Sequence, residues 1–430
     1  MKYYSTNQSV EPVSFQEAIF KGLPEDNGLY MPESIPVLPS SFFENLSKMT
    51  LPEIGFEAIK PFVDGEIPDS VLKEILDDSL SFDIPLKQVK DRIYSLELFH
   101  GPTMAFKDVG ARFLARCLSY FTSKGDKKLT VLVATSGDTG SAVAHGFYDV
   151  PNIDVIILYP SGKVSDFQEQ QMTTLGKNIT ALEVDGTFDD CQHLVKEAFL
   201  NDELRATLNL TSANSINIAR LLPQSIYYFY ACAQLPKNKR GNVIFSVPSG
   251  NYGNLSAGLI AQRMGLPVSR FLACSNINDT VPKYLNEGRY LPKPSVSTIS
   301  NAMDVGAPSN FVRMLDVFRN EHELMTEVIS GFTYTDELTR EAISRVYNET
   351  GYILDPHGAV GYSGLEVFLN NHEGAGIFLE TAHPFKFKAV VEEQIGKAVE
   401  TPGQAQVLEM EKQSIPLKSK PEDFKAFLLA

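Results

Sequence analysis

Twice in this chain an apolar, β-branched run passes without a spacer into a glycine-rich turn and then into a helical pattern. Leu129–Ala134 is the first such run. Thr135-Ser136-Gly137-Asp138-Thr139-Gly140 is its turn, a helix is expected from Ser141 to Tyr148, and Val155–Tyr159 is the next strand. Asn242–Val247 is the second run. Pro248-Ser249-Gly250-Asn251-Tyr252-Gly253-Asn254 follows it, then a helix over Leu255–Met264 and a strand over Phe271–Ser275. A further short strand, Gly376–Leu379, ends in Thr381-Ala382-His383-Pro384. Strand–helix–strand units of this kind build parallel sheets, so the fold class is α/β, and its sites belong at the carboxyl ends of strands.

The chain of 430 residues suggests two or three domains. Residues 1–90 are expected to form an N-terminal domain, with proline-punctuated turns (Leu23–Gly28) and short helical patterns such as Asp69–Leu76. Residues 129–235 are expected to form a small domain, and 91–128 with 236–430 a large one. The basic stretch Pro236–Gly241 marks the crossing between these two, and Ser123–Lys128 is expected as a polar turn. A net charge of −15 (38 basic against 53 acidic side chains) argues against nucleic acid and anionic membrane surfaces as partners. No apolar run approaches the ~20 residues of a membrane span. Cys117, Cys191, Cys232 and Cys274 show no Cys-x-x-Cys pair and no zinc spacing, so no metal is expected, and the thiols read as reduced core residues of a cytoplasmic protein. A monomer or weak homodimer is expected.

The turn at Ser249–Asn254 suits an anion, because glycine lets the backbone come close and the following helix offers unpaired N–H groups. It lacks the lysine of a Walker loop and is not a dinucleotide fingerprint. The turn at Thr135–Gly140 offers hydroxyls and N–H groups to a carboxylate, while Asp138 would turn elsewhere. A helix N-cap by Ser136 or Asp138 accounts for the same residues. Ser212–Arg220 gathers Asn214, Ser215, Asn217 and Arg220, a set suited to a second phosphate, with Lys163 as an added charge. Asp355-Pro356-His357 reads as cap, first-turn proline and helix start, and His383 as a loop histidine.

Lys107 follows Ala105-Phe106 and opens a helix whose Val109, Phe113, Cys117 and Tyr120 share a face. A lysine held against apolar neighbours favours a neutral or paired amine, and a neutral amine forms Schiff bases with carbonyls. Residues and spacing alone describe a lysine-dependent, phosphate-binding α/β enzyme.

Leu98–Asp108 (Leu-Phe-His-Gly-Pro-Thr-Met-Ala-Phe-Lys-Asp), Ala134–Gly140, Ser212–Asn217 and Val247–Asn254, taken in this order, resemble the threonine synthases, pyridoxal-phosphate lyases of fold type II related to the tryptophan synthase β subunit. The resemblance runs from Val13–Ala18 and Gly28–Tyr30 to Thr381–Phe387. It implies two open, twisted, mostly parallel sheets with flanking helices and an N-terminal domain. It implies that Lys107 binds pyridoxal 5′-phosphate as a Schiff base, that Gly250, Asn251, Tyr252, Gly253 and Asn254 bind the cofactor phosphate, and that Thr381 faces the pyridine nitrogen. Asp138, which stands where some fold-type-II enzymes carry asparagine, would lie by the cofactor. Thr135, Ser136, Gly137 and Thr139 would hold the substrate carboxylate. Asn214, Ser215, Asn217 and Arg220, with Lys163, would hold a substrate phosphate. The implied reaction converts O-phospho-L-homoserine and water to L-threonine and phosphate, the last step of threonine biosynthesis. A serine or threonine dehydratase would share Lys107 and the glycine turn but needs no second phosphate pocket. A non-catalytic sensor related to threonine synthase would have no need to keep Lys107 and Thr381.

Overall fold

The computed structural model describes residues 1–123 and 128–430, so the centre of the expected turn at Ser123–Lys128 lies outside the described residues. The chain forms two compact units. One comprises Met31–Phe106 and Leu221–Thr401 with Met1, and the other Lys2–Tyr30, Lys107–Arg220 and Pro402–Ala430.

The first unit carries a six-stranded sheet in the order Ile329–Thr333, Val268–Ser275, Val243–Pro248, Ala375–Glu380, Ile93–Glu97, Leu86–Lys90. All pairings are parallel except the last. The central strands Val243–Pro248 and Ala375–Glu380 are buried throughout, which is why they read as unbroken apolar runs. The antiparallel edge strand carries Lys87 and Lys90, charges that blunt an open edge. From Val243–Pro248 the chain proceeds to Val268–Ser275 on one side, and Ala375–Glu380 later pairs on the other. The order therefore reverses at Val243–Pro248. In open α/β sheets such a reversal opens a crevice at the carboxyl ends, here the positions of Ser249–Asn254 and Thr381.

The second unit repeats the device. Its parallel sheet runs Ile415–Lys418, Ile179–Asp185, Ile153–Pro160, Leu129–Ala134, Asn209–Ser212. The order reverses at Leu129–Ala134, and the two strand ends there deliver Thr135–Gly140 and Ala213–Asn217.

The unit boundaries differ from those expected. Residues 1–90 contribute to both units: helix Leu51–Val63 packs on Ser225–Gln234 in the first unit, and Thr211 Oγ1 donates to Ile19 O (2.9 Å) in the second. The crossings fall at Phe106/Lys107 and Arg220/Leu221 rather than at 128 and 236. Pro236–Gly241 is an internal connection of the first unit, fastened by Lys239 Nζ on the Tyr94 hydroxyl (2.7 Å) and by Arg240 on the carbonyls of Leu235 and Ala233. Residues 402–430 join the second unit, because Ile415–Lys418 extends its sheet and Pro421–Leu429 packs on helix Phe188–Leu200.

The helix from Lys107 spans Lys107–Thr122. Val109, Phe113 and Cys117 are buried as the spacing requires, but so are Ala111, Leu114, Ala115 and Leu118, while Tyr120 is half-buried. Packing on helix Asp138–Phe147 and on Phe15–Lys21 covers more than one face.

Candidate active site

Lys107 is the first residue of its helix, and its amine lies 3.7 Å from Asp138 Oδ2; the two side chains are 18% and 3% exposed. Gln168 Nε2 donates to Asp138 Oδ1 (2.9 Å), so the carboxylate has a fixed orientation. The loop before Lys107 belongs to the first unit and is held against the end of strand Ala375–Glu380. Phe106 N donates to Thr381 O (2.9 Å), His383 N to Met104 O (3.1 Å), and the buried Lys386 amine to Thr103 O (3.0 Å). Tyr227 OH donates to Phe106 O (2.5 Å). Thr381 is buried, and its hydroxyl has no protein partner among the described residues.

The Thr135–Gly140 turn is organised by Thr135, whose hydroxyl oxygen accepts from Gly137 N (2.9 Å) and Gly140 N (2.8 Å). The helix begins at Asp138, with Gly137 as its cap at φ +135° and no capping side chain, so neither Ser136 nor Asp138 is the N-cap. The Thr135 hydroxyl takes over the capping. The Ser136 and Thr139 hydroxyls are half-buried and have no protein partner among the described residues.

The Ser249–Asn254 turn is closed by Asn254, which donates to Pro248 O (2.8 Å) and accepts from Ser249 Oγ (3.0 Å) and Leu255 N (2.9 Å). Tyr252 has φ +60°, and its hydroxyl lies 2.6 Å from Ser275 Oγ in the core. Its side chain therefore faces away from the turn, which leaves the backbone to face an anion. Among the described residues, the N–H groups of Gly250, Asn251, Tyr252 and Gly253 meet no protein acceptor. Gly250 packs so closely on the segment behind it that a Cβ would stand 2.6 Å from Ala302 O. Asn251 Oδ1 accepts from Ser309 N (3.1 Å), and Asn251 O from Asn310 N (3.2 Å).

After strand Asn209–Ser212, Asn214 spends both ends of its amide on Ala134, donating to its carbonyl (2.8 Å) and accepting from its N–H (3.3 Å). Asn217 donates to Ile19 O (2.9 Å) and Ser212 O (3.0 Å) and accepts from Ala219 N (3.1 Å). These two amides fasten the scaffold. Arg220 is 3% exposed and donates through Nη1 to Ala213 O; Ser215 is half-buried. Lys163 is exposed and donates to Gly186 O (2.9 Å).

Comparison with known proteins decides what this arrangement belongs to. The profile described as "Pyridoxal-phosphate dependent enzyme" matches residues 81–377, "Threonine synthase N terminus" residues 2–80, and "Threonine synthase, C-terminal" residues 358–428. The chain is 48% identical over 396 residues to threonine synthase of Haemophilus influenzae, covering 92% of each. It superimposes on the crystal structure of threonine synthase from Escherichia coli with a TM-score of 0.94 at 43% identity, over 100% of this chain and 99% of the other. The PLP-bound threonine synthase from Brucella melitensis gives 0.92 at 33% identity, over 100% and 98%. The chain belongs to the threonine synthase family.

A threonine synthase of this kind is a fold-type-II enzyme whose cofactor is pyridoxal phosphate, acting on a small-molecule substrate in threonine biosynthesis. Each unit carries groups whose chemistry suits a part of that cofactor: the second has the Lys107 amine, and the first has the N–H groups of Gly250–Gly253, without a protein acceptor at a helix start, and the Thr381 hydroxyl. Sequence reading did not single out Gln168, Asp304 or Glu380. Glu380 directly precedes Thr381, is fully buried, and accepts from Asp355 N (2.6 Å). Burial and the neighbouring Asp355 charge push its carboxyl well above the usual carboxylate range. Burial likewise raises Asp304 to about 6, although hydrogen bonds from Thr298 and Asn276 oppose it. A carboxylate next to the glutamate-poor, apolar Gly376–Leu379 run was a visible signal for Glu380; Gln168 offered none. Among the described residues, no helix is long and apolar enough to cross a membrane.

Proposed function

We propose that this member of the threonine synthase family converts O-phospho-L-homoserine and water to L-threonine and inorganic phosphate. The observation that carries the reading is the Lys107 amine at the start of its helix, oriented by Asp138 at 3.7 Å. Lys107 would hold the cofactor aldehyde and Gly250–Asn254 its phosphate. Bound pyridoxal phosphate supplies an electron sink that makes the substrate Cα and Cβ protons acidic. The Lys107 amine takes the Cα proton and later the Cβ proton; one proton goes back to Cγ after phosphate leaves and one to Cα as the product forms, while water gives its hydroxyl to Cβ and its remaining proton to the departing phosphate. Asp138 stabilises the lysine whenever it carries the extra proton. The Thr381 hydroxyl would hold the ring nitrogen without charging it, which would moderate the sink and suit elimination and replacement. The Ser136 and Thr139 hydroxyls, with the backbone of Thr135–Thr139, orient the substrate carboxylate.

Arg220 and Ser215 hold the substrate phosphate, with Lys163 contributing charge, while Asn214 and Asn217 shape that segment from behind. Phosphate leaves from Cγ and water adds at Cβ. The buried free cysteines suit a reducing cytoplasm.

The test is to incubate the purified chain with pyridoxal phosphate and O-phospho-L-homoserine and separate the products. Threonine and phosphate in equal amounts are expected. A 2-oxo acid without threonine would show that the water-addition half is missing and that the chain is a dehydratase or phospho-lyase.

A further inference from the structure

His357 is 2% exposed and is the second residue of helix Pro356–Leu369. Its Nδ1 lies 2.5 Å from Asp355 Oδ1. The same Asp355 carboxylate, itself fully buried, accepts the backbone N–H groups of His357 (2.9 Å) and Gly358 (3.1 Å). A carboxylate acting as acceptor for the helix start makes Nδ1 the ring donor. In the neutral ring Nε2 is then an acceptor, and it receives Ala302 N–H at 3.2 Å. The carbonyl of that same residue is the atom that a Cβ at Gly250 would meet at 2.6 Å, with Met303 Cα at 2.8 Å. The Ala302–Met303 backbone is thus the back wall of the Gly250–Gly253 turn, and His357 is fastened to it. A hydrogen bond to the helix cap alone would not need the second ring nitrogen.

We propose that His357 is a positioning residue for the cofactor phosphate. By accepting from Ala302 N–H it fixes the Ala302–Met303 backbone and so the direction of the Gly250–Gly253 N–H groups. Asp355 acts through His357 by setting its tautomer and ring orientation. The inference rests on Gly250–Asn254 being the phosphate turn.

Two substitutions separate the ring's two bonds. His357→Gln places an amide oxygen near the position of Nε2 and keeps an acceptor for Ala302. His357→Asn places an amide nitrogen near Nδ1 and keeps only the bond to Asp355. The cofactor-stripped full-length chain is titrated with pyridoxal phosphate and with pyridoxal, which lacks the phosphate, and the ratio of the two Kd values is the readout. Loss of general stability weakens both ligands and leaves the ratio in place. The expected result is a ratio reduced about tenfold in His357→Asn and nearly unchanged in His357→Gln. Equal ratios in both variants, or better retention by His357→Asn, would overturn the proposal. If His357→Asn fails to fold, hydrogen exchange of the wild-type holoenzyme decides: a slow Ala302 amide is expected, and a fast one refutes the bond. A wild-type chain that binds pyridoxal as tightly as pyridoxal phosphate would refute the phosphate turn itself.

Discussion

Gly250→Ala tests the cofactor turn most directly. The added Cβ would stand 2.6 Å from Ala302 O, 2.8 Å from Met303 Cα and 3.2 Å from Val305 Cγ2. The first two are backbone atoms, so no rotamer change relieves the contact. Reaching an ordinary 3.4 Å requires the two segments to part by 3.4 − 2.6, about 0.8 Å. The facing segment is held in several places. Met303 N bonds Ser300 O (2.9 Å), Ala302 N bonds His357, and Asp304 accepts from Thr298 N (3.0 Å), Thr298 Oγ1 (2.7 Å) and Asn276 (2.9 Å). Much of the displacement therefore falls on residues 250–253. Overpacking of this kind costs about 1–3 kcal/mol of stability. Displacing a single N–H from the phosphate removes a charge-assisted bond of about 1.5–3 kcal/mol, which is roughly 10- to 100-fold in Kd. Absorbance titration of the cofactor-stripped variant should show weaker pyridoxal phosphate binding with pyridoxal binding little changed, and urea unfolding should show the loss of stability. A variant with wild-type cofactor affinity and wild-type stability would refute both the role of the turn and the closeness of its wall.

Lys107→Ala should lose the visible absorbance of lysine-bound cofactor and all turnover, and an unchanged spectrum would remove Lys107 from its role. Arg220→Ala should raise KM for the phosphorylated substrate about tenfold or more while cofactor Kd stays within roughly twofold; loss of cofactor affinity alone would place Arg220 at the wrong ligand. Gln168→Ala leaves Asp138 Oδ1 without this donor, so the urea midpoint should fall by the equivalent of about 1–3 kcal/mol at constant m, and no change would show that Asp138 needs no such support. Burial, and after it the His100 charge, lowers His383 to about 4 from 6.5, so the unfolded chain binds more protons than the folded one between these values. Stability should therefore fall as pH drops from about 6.5 to 4, by up to about 3 kcal/mol from this residue, and His383→Asn should flatten that slope in urea titrations at several pH values. An unaltered slope would mean that His383 is not buried as the fold places it.

Much of the fold was legible because its signals are local. Leu129–Ala134 was read at its true bounds, and Val243–Pro248 and Ala375–Glu380 within a residue at each end, since strands covered on both faces must be apolar at every position. The two helices after the glycine turns start earlier than read, at Asp138 and Gly253 rather than Ser141 and Leu255, because the turn itself supplies the cap. The unit boundaries were not legible. Phe106 and Lys107 are consecutive in one motif yet fall in different units, and no composition change marks that point.

The sequence by itself determined a parallel α/β chain, the position of Lys107 at a helix start, and glycine turns after two buried strands. Each follows from burial period and backbone freedom within a few residues. The tertiary structure decided where the polar side chains of those motifs spend their hydrogen bonds. Asn217 gives its amide to Ile19, 198 positions away, Asn214 to Ala134, and Tyr252 its hydroxyl to Ser275. A side chain's capacity to donate or accept is written in its residue type, but its partner is brought by distant segments. Motif residues that look alike in sequence therefore divide, on folding, into those that fasten the scaffold and those left to meet a ligand.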